Sequence, residues 1–594
     1  MKVSELIKGE KERHMSTFLL SLIFMVAFFT WIYVNYGVYY LSNDDTGMMK
    51  GYSGYGMGIP SPYHQYGSFT LGMIYKLLYT VVPTWNWYSY FSVITVIVSN
   101  SVILYVIYRQ RDVRHNKFKY MDFILIALIV TAISLYGIAT ISWTINAAFA
   151  AVAGTMLLIH VSSQSAGIFC KTCIAGLFMI VSLLIRGASY KAVLPFALLA
   201  VCYRAGNRLR LEGKHNIKKI AVELAVLIIT LITVMAYSRV DTAMKSGVYE
   251  SGKDSFEYYR GLYTDYPHIT YKGNEEFYDS IGWDEEFYNA VGSWMFIDPR
   301  FNTENLKKIA EASSSLRMEE NLSEHVQSFW KCFKAQTRGN IVRILMSIVV
   351  AVFFVMAVIL AICVWIRKQD GWYDWLFLAG VQAVAIAEWV YLAEQSRFID
   401  RAFYCAAFPA LFIGVWMIAK HACIIERHVT VSFAVGILAV YAFHISTAQN
   451  LSMEKSETAE LRAQISHDAD AIYAANPENF YIYDGSIISG TALFLDMSLL
   501  GCGRNSLMWG GTGVYSKTFY DKIAQFGYDE FYSDNLFDEN VYYITTNADV
   551  WNSSFVTYMK KTYGKSIDAQ VVQTSKSGVY VYKFRYCMEG WEKR

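Results

Sequence analysis

The first long apolar run, Met15-Ser-Thr-Phe-Leu-Leu-Ser-Leu-Ile-Phe-Met-Val-Ala-Phe-Phe-Thr-Trp-Ile-Tyr-Val-Asn-Tyr-Gly-Val-Tyr-Tyr-Leu41, ends on Ser42-Asn43-Asp44-Asp45. A run of this length crosses a bilayer as one helix, because about 20 residues cover the hydrocarbon core and a helix satisfies its own backbone groups. It is about twice as long as a signal-peptide core and carries no small-residue cleavage site, so it is expected to stay as an anchor. Between Ser16 and Arg111 the two aspartates are the only acidic side chains. A carboxylate pair therefore stands alone at a membrane edge.

The rest of the chain has the same character. Its 594 residues are 54% apolar and 17% charged, with a mean hydropathy of +0.26; soluble domains carry nearer a quarter charged residues. This composition is that of a polytopic α-helical membrane protein. The net charge of +2 is the balance of 52 basic and 50 acidic groups, which argues against a nucleic-acid partner. The nine cysteines are irregularly spaced and give neither a disulfide framework nor a zinc pattern. Cys170-Lys-Thr-Cys173 reads as two packed thiols, and the pairing of Cys502 with Cys587 is not readable from sequence.

Eleven apolar runs are expected to span: 16–41, 87–108, 121–139, 145–161, 172–187, 190–204, 219–237, 341–366, 374–394, 402–420 and 429–446. With the N-terminus inside, the short cytoplasmic connections hold 20 Lys and Arg and the opposite ones five, an asymmetry that favours this orientation. The odd count then places the C-terminus outside, in a plasma membrane. No cytoplasmic segment is long enough for a nucleotide-binding domain, and no Walker or strand-linked GxGxxG motif occurs. Neither ATP nor a nucleotide sugar is expected as a direct substrate. Energy for a synthetic reaction outside would arrive in the substrate, most simply on an activated lipid carrier.

The sequence thus divides into a transmembrane part, 1–446, and an extracytoplasmic α/β domain, 447–594. The first outer loop is 42–86, where residues 66–83 read as an interfacial helix and Gly47 to Pro60 as a glycine-rich cover. The large outer loop, 238–340, is rich in aromatic side chains and carboxylates, which suit sugar rings but also build small cores and interface belts. Residues 302–338 read as an amphipathic helix starting at Asn302-Thr303-Glu304. In the last domain the pattern predicts a helix to about Ala475, strands at Phe480–Tyr483 and Val541–Thr545, a helix near Ser553–Tyr563, and a terminal strand pair. The glycine cluster from Gly501 to Gly513 reads as turns.

Asp44 and Asp45 are the candidate catalytic residues. In extended backbone their side chains would point to opposite sides, so one would serve as base while the other binds acceptor, cation or a helix end. Two carboxylates this close, at a low-dielectric boundary, are expected to raise at least one pKa, which suits a general base. Arg186, Lys191, Arg397 and Arg401 share the outer face and match a carrier phosphate, with headgroup anchoring as the plain alternative. Arg260, His64 and Glu388 complete the candidate binding set. For Glu388, an internal ion pair with a nearby arginine is an equal competitor.

An acidic pair opening the first outer loop, an interfacial helix before the second span, many further spans and an outer C-terminal domain resemble the GT-C superfamily of membrane glycosyltransferases. That superfamily includes protein mannosyltransferases, aminoarabinose transferases and oligosaccharyltransferases. Asn43-Asp44-Asp45, Gly58-Ile-Pro-Ser-Pro62 and Leu78-Tyr79 to Trp87-Tyr88 resemble a group of its bacterial members. The resemblance implies a GT-C-like fold and inverting transfer of a sugar from a polyprenyl-phosphate carrier to a glycan, lipid or protein acceptor, with Asp44 or Asp45 as base. Members pair the first-loop acid with another acid or a metal. No second-loop acidic motif matches here, so no cofactor is assigned and a divalent cation stays open. A polysaccharide polymerase or ligase using a lipid-pyrophosphate oligosaccharide is the second reading, and a transporter or flippase the third.

Overall fold

The computed structural model describes the chain apart from residues 1–2, 56–58, 65, 113–118, 161–167, most of 213–235, 249–254, most of 315–340, 369–370, 396–398, 422–459, 489–492, 495–502, 512, 564–566 and 587–594. The chain forms two compact units, one of residues 1–39, 90–239 and 322–455 and the other of residues 40–89, 240–321 and 456–594. The first is the membrane unit and the second the α/β unit.

Among the described residues, seven helices are long and apolar enough to cross a membrane: His14–Tyr36, Trp87–Gln110, Asp122–Ala139, Trp143–His160, Val342–Ile366, Trp372–Glu394 and Asp400–His421. This is a multi-pass membrane protein. The runs at 172–187 and 190–204 are also helical, as Ile168–Ile185 and Gly187–Glu212, separated by Arg186 alone. The runs at 219–237 and 429–446 lie largely or wholly outside the described residues. Helix Trp143–His160 is buried along nearly its whole length. At its Gly154, a Cβ would sit 2.9 Å from the Ala175 carbonyl, so glycine lets two helix backbones meet as small residues do in membranes. Cys173, expected to be packed, is exposed.

The α/β unit is centred on five strands: β1 (Phe480–Tyr483), β2 (Ser506–Met508), β3 (Val541–Thr545), β4 (Ile567–Thr574) and β5 (Tyr580–Tyr586). Their order is β2-β1-β3-β5-β4, with β1 parallel to both neighbours and the β3–β5 and β5–β4 pairs antiparallel. Alternate residues of β1 serve opposite faces, as the pleat requires. Tyr481 packs with Ile465, Ala469, Ile472 and Tyr473 of the helix over 460–475. Phe480 and Ile482 share the other face with Phe519, Phe555 and the aromatic residues of 256–301.

The large loop is therefore part of this core. Its Tyr259, Tyr263, Tyr278, Trp283 and Phe287 are buried, and the Phe296 amide donates to the Trp509 carbonyl at 3.0 Å. The helix expected over 302–338 starts at Thr303, with Asn302 accepting from the Asn305 amide, but ends at Ala312 with Ser313 as its C-cap, and most of 315–338 lies outside the described residues. β2 overturns the all-turn reading of the glycine cluster. It is three residues long, and its pairing with β1 supplies the order that glycine-rich flanks cannot.

The helix Phe69–Val81 lies inside the stretch predicted as interfacial. Ser68 caps it by accepting from the Leu71 amide at 3.1 Å, and Asp241 accepts from the Phe69 amide at 2.6 Å. Leu71, Tyr75 and Tyr79 are buried, whereas Leu77 and Val81 on the opposite side are 65% and 70% exposed. Gly72 lets this helix sit against Pro62, whose carbonyl oxygen would lie 1.9 Å from an added Cβ. Gly72→Ala should lower the stability of the unit by about 1–3 kcal/mol through overpacking, read as a drop in its melting midpoint in detergent. An unchanged midpoint would contradict this close approach.

Candidate functional site

The acidic pair is not extended. Asn43–Ser53 is a helix with Asp44 and Asp45 in its first turn, which corrects the extended-turn expectation. Successive helical side chains still diverge by about 100°, so the two acids part company for a different reason. Asp45 is 0% exposed and accepts a hydrogen bond from the Tyr88 hydroxyl at 2.8 Å. Asp44 is partly exposed. Met48, Met49 and Tyr52 bury the same side of the helix as Asp45, and the Tyr52 ring lies 4.9 Å from Tyr75. The first turn also places both carboxylates at the positive end of the helix dipole, where negative charge is favoured.

Gly54 ends the helix in the left-handed region, φ 84°, with its amide turned back to Gly51 and Lys50. A side chain is excluded there twice over, since a Cβ would lie 2.2 Å from the Ile59 carbonyl carbon and left-handed φ favours glycine.

His64 stands against Tyr52, ring centroids 5.6 Å apart. Burial, aided by the Lys245 ammonium and opposed by Asp44, pushes its imidazole down to about 4. It is therefore neutral near pH 7, and its Nδ1 accepts from the Tyr66 amide at 3.3 Å. Lys245 is held in place by Asp241 at 3.1 Å and by the Gly67 carbonyl at 2.9 Å. Because the folded value lies below the unfolded one, the unfolded chain binds the extra proton first. Stability should fall as pH drops from about 6.5 towards 4, by on the order of 2 kcal/mol. His64→Gln should remove that part of the acid sensitivity, measured as the difference in melting midpoint between pH 7 and pH 4.5 for variant and parent. Equal acid sensitivity of the two proteins would refute it.

Arg260 must be withdrawn from the phosphate candidates. It is 3% exposed, its Nε donates to Glu257 at 2.7 Å and its Nη2 to the Tyr66 hydroxyl at 3.1 Å. Glu257 in turn accepts from the Gly513 amide at 3.0 Å. The guanidinium thus ties three sequence-distant segments of the α/β unit and does not face solvent.

In the membrane unit, Arg186, Glu388 and Arg401 converge within electrostatic reach of Cys405. The Arg186 guanidinium lies 4.0 Å from the Trp143 ring centroid and donates to Thr144. Lys191 is exposed, and Arg397 lies outside the described residues. Asp400, which sequence reasoning missed, pairs with Arg343 and accepts from the Tyr136 hydroxyl at 3.3 Å. Its position one residue before Arg401 is the only sequence signal.

Asp44 and His64 are donor types that divalent cations accept, but among the described residues no group of three or more His, Cys, Asp or Glu could hold a metal ion.

No family model and no curated protein matches the chain. Among solved structures, the aminoarabinose transferase ArnT from Cupriavidus metallidurans in its apo state aligns over 94% of this chain and 97% of its own, at 12% identity and a TM-score of 0.36. The same protein bound to undecaprenyl phosphate aligns over 98% of both chains, at 11% identity and a TM-score of 0.32. The archaeal oligosaccharyltransferase AglB from Archaeoglobus fulgidus, in complex with an inhibitory peptide and a dolichol-phosphate, aligns over 98% of this chain and 75% of its own, at 11% identity and a TM-score of 0.38.

Proposed function

We propose that the chain is a GT-C-type membrane glycosyltransferase that moves a sugar from a polyprenyl-phosphate carrier to an extracytoplasmic acceptor, with Asp44 as general base. The observation that carries this reading is the division of the acid pair. Asp45 is buried and accepts from Tyr88, while Asp44, one residue earlier in the same helical turn, stays partly exposed. The acceptor hydroxyl oxygen attacks the anomeric carbon, its proton passes to Asp44, and the bond from that carbon to the phosphate oxygen breaks. The phosphate keeps the electron pair and needs little acid help, unlike the alcohol leaving group of glycoside hydrolysis. Attack opposite the departing phosphate inverts the anomeric centre.

In this reading the N-terminus is cytoplasmic, the α/β unit lies outside, and Phe69–Val81 rests its apolar side in the outer leaflet. Within the membrane unit, Arg186 and Arg401 are assigned to the carrier phosphate, because a planar guanidinium fork fits phosphate oxygens. Lys191 and Arg397 belong to the same assignment, and Glu388 balances their charge.

Cells with and without the gene should differ in the mass of an envelope glycan, glycolipid or glycoprotein by one sugar, and the cells without it should accumulate a polyprenyl-phosphate sugar. Identical glycan and carrier-lipid profiles would refute the reading. A ladder of product masses would replace it with a polymerase, and carrier flux across liposomes without change to the sugar with a flippase.

A further inference from the structure

The acidic helix has little reason to form by itself. It contains Gly47 and Gly51, lacks a side-chain hydrogen bond at its Ser42 cap, and at 11 residues is shorter than isolated helices tolerate. Its last turn, however, is gripped by the helix over 460–475. The Lys50 ammonium donates to the Ser466 hydroxyl at 3.0 Å and lies 4.3 Å from the Tyr55 ring centroid. The Tyr55 hydroxyl donates to Asp470, and the Tyr55 amide returns to the Lys50 carbonyl at 3.0 Å. Gly503 leaves the seat for this ring, since a Cβ there would stand 3.0 Å from the Tyr55 hydroxyl and ring carbons.

We propose that Lys50, Tyr55 and Asp470 are positioning residues, through which the C-terminal segment sets the orientation of the acidic helix and hence of Asp44. This rests on the reading of Asp44 as the base. Asp470 is 7% exposed, and burying a carboxylate beside an ammonium rarely adds stability over apolar packing. What such groups do supply is a single geometry, because hydrogen bonds fix direction where apolar surfaces slide. Burial pushes Asp470 up and Lys50 down, and each opposes the shift of the other. Helix 460–475 is itself anchored on the sheet by Ile465, Ala469 and Ile472, so the linkage runs from β1 through this helix to the helix that bears the acids. Ser466, Asp470 and Tyr473 lie on one side of the helix at the spacing that gives a common face.

The test uses the full-length protein in detergent or nanodiscs and in cells. Tyr55→Phe, Asp470→Asn and Lys50→Met should each raise amide hydrogen exchange in 43–53 at least tenfold while leaving β1 and β3 protected, and should cut the in-cell product at least tenfold. Lys50→Arg, which keeps a donor cation, should restore most of the product. The double variant Lys50→Met/Asp470→Leu, which removes both charges, should keep the sheet protected yet remain product-poor. Unchanged exchange in 43–53, or equal loosening of the sheet, overturns the proposal in favour of no role or a general structural one. The exchange result does not depend on the chemistry. If exchange responds as expected but Asp44→Asn leaves the product intact, the assignment of Asp44 as base fails and the positioning of the acidic helix stands.

Discussion

Asp44→Asn should abolish sugar transfer in a protein that still inserts, folds and melts like its parent. Asparagine is nearly isosteric but cannot take a proton from the acceptor, and a positioned base contributes about 10²–10⁴-fold to rate. Asp44 is only partly buried, so its charge can be removed without stranding a buried partner. Asp45→Ala has the opposite profile. It leaves the Tyr88 hydroxyl without its acceptor inside a closed packing, which costs about 1–3 kcal/mol, and product should fall in step with the folded fraction. The measurement is the product mass shift in cells expressing each variant, together with melting in detergent. Full product from Asp44→Asn would sink Asp44 as base. Lost product from Asp45→Asn with unaltered melting would move the base to Asp45.

Arg260→Met should unfold much of the α/β unit. The substitution leaves the Glu257 carboxylate, whose side chain is 11% exposed, without its cation, and breaking one side of a buried pair costs about 3–5 kcal/mol. It also takes away the donor that the Tyr66 hydroxyl accepts from. Limited proteolysis should cut the variant within 256–321 at temperatures where the parent resists. Had Arg260 been a phosphate ligand, the same variant would melt normally and fail only in carrier binding. Normal melting therefore refutes the structural role of Arg260.

Much of this fold is open to reading because membrane spans announce themselves by length. A run such as 341–366 has no alternative to a helix in hydrocarbon, and every described run forms one. β1 and β3 are legible from dense β-branched and aromatic residues, Phe480-Tyr-Ile-Tyr483 and Val541-Tyr-Tyr-Ile-Thr545. β2 is not, because Ser506-Leu-Met508 carries almost no strand propensity and exists through its pairing with β1. The acidic helix is hidden for a similar reason. Asn43-Asp-Asp-Thr-Gly-Met-Met-Lys-Gly-Tyr-Ser53 has the composition of a turn, and its order comes from Met48, Met49, Tyr52 and Lys50 meeting residues far along the chain. The candidate acids are visible by isolation alone, whereas the difference between them depends on Tyr88, 43 positions away. Arg260 is misread because a lone arginine among aromatics looks the same from sequence whether it faces phosphate or Glu257.

The α/β unit is assembled from three stretches separated by membrane helices, 40–89, 240–321 and 456–594. That order has a consequence for biosynthesis. The acids are made before the helix that grips them and the sheet behind it. The central β3 finds its antiparallel partner only when Tyr580–Tyr586 has been synthesised. Until then Asp44 and Asp45 belong to a glycine-containing segment with no scaffold, so a nascent or truncated chain has the acids but not the site. The site is therefore completed only once the strand Tyr580–Tyr586 has joined the sheet.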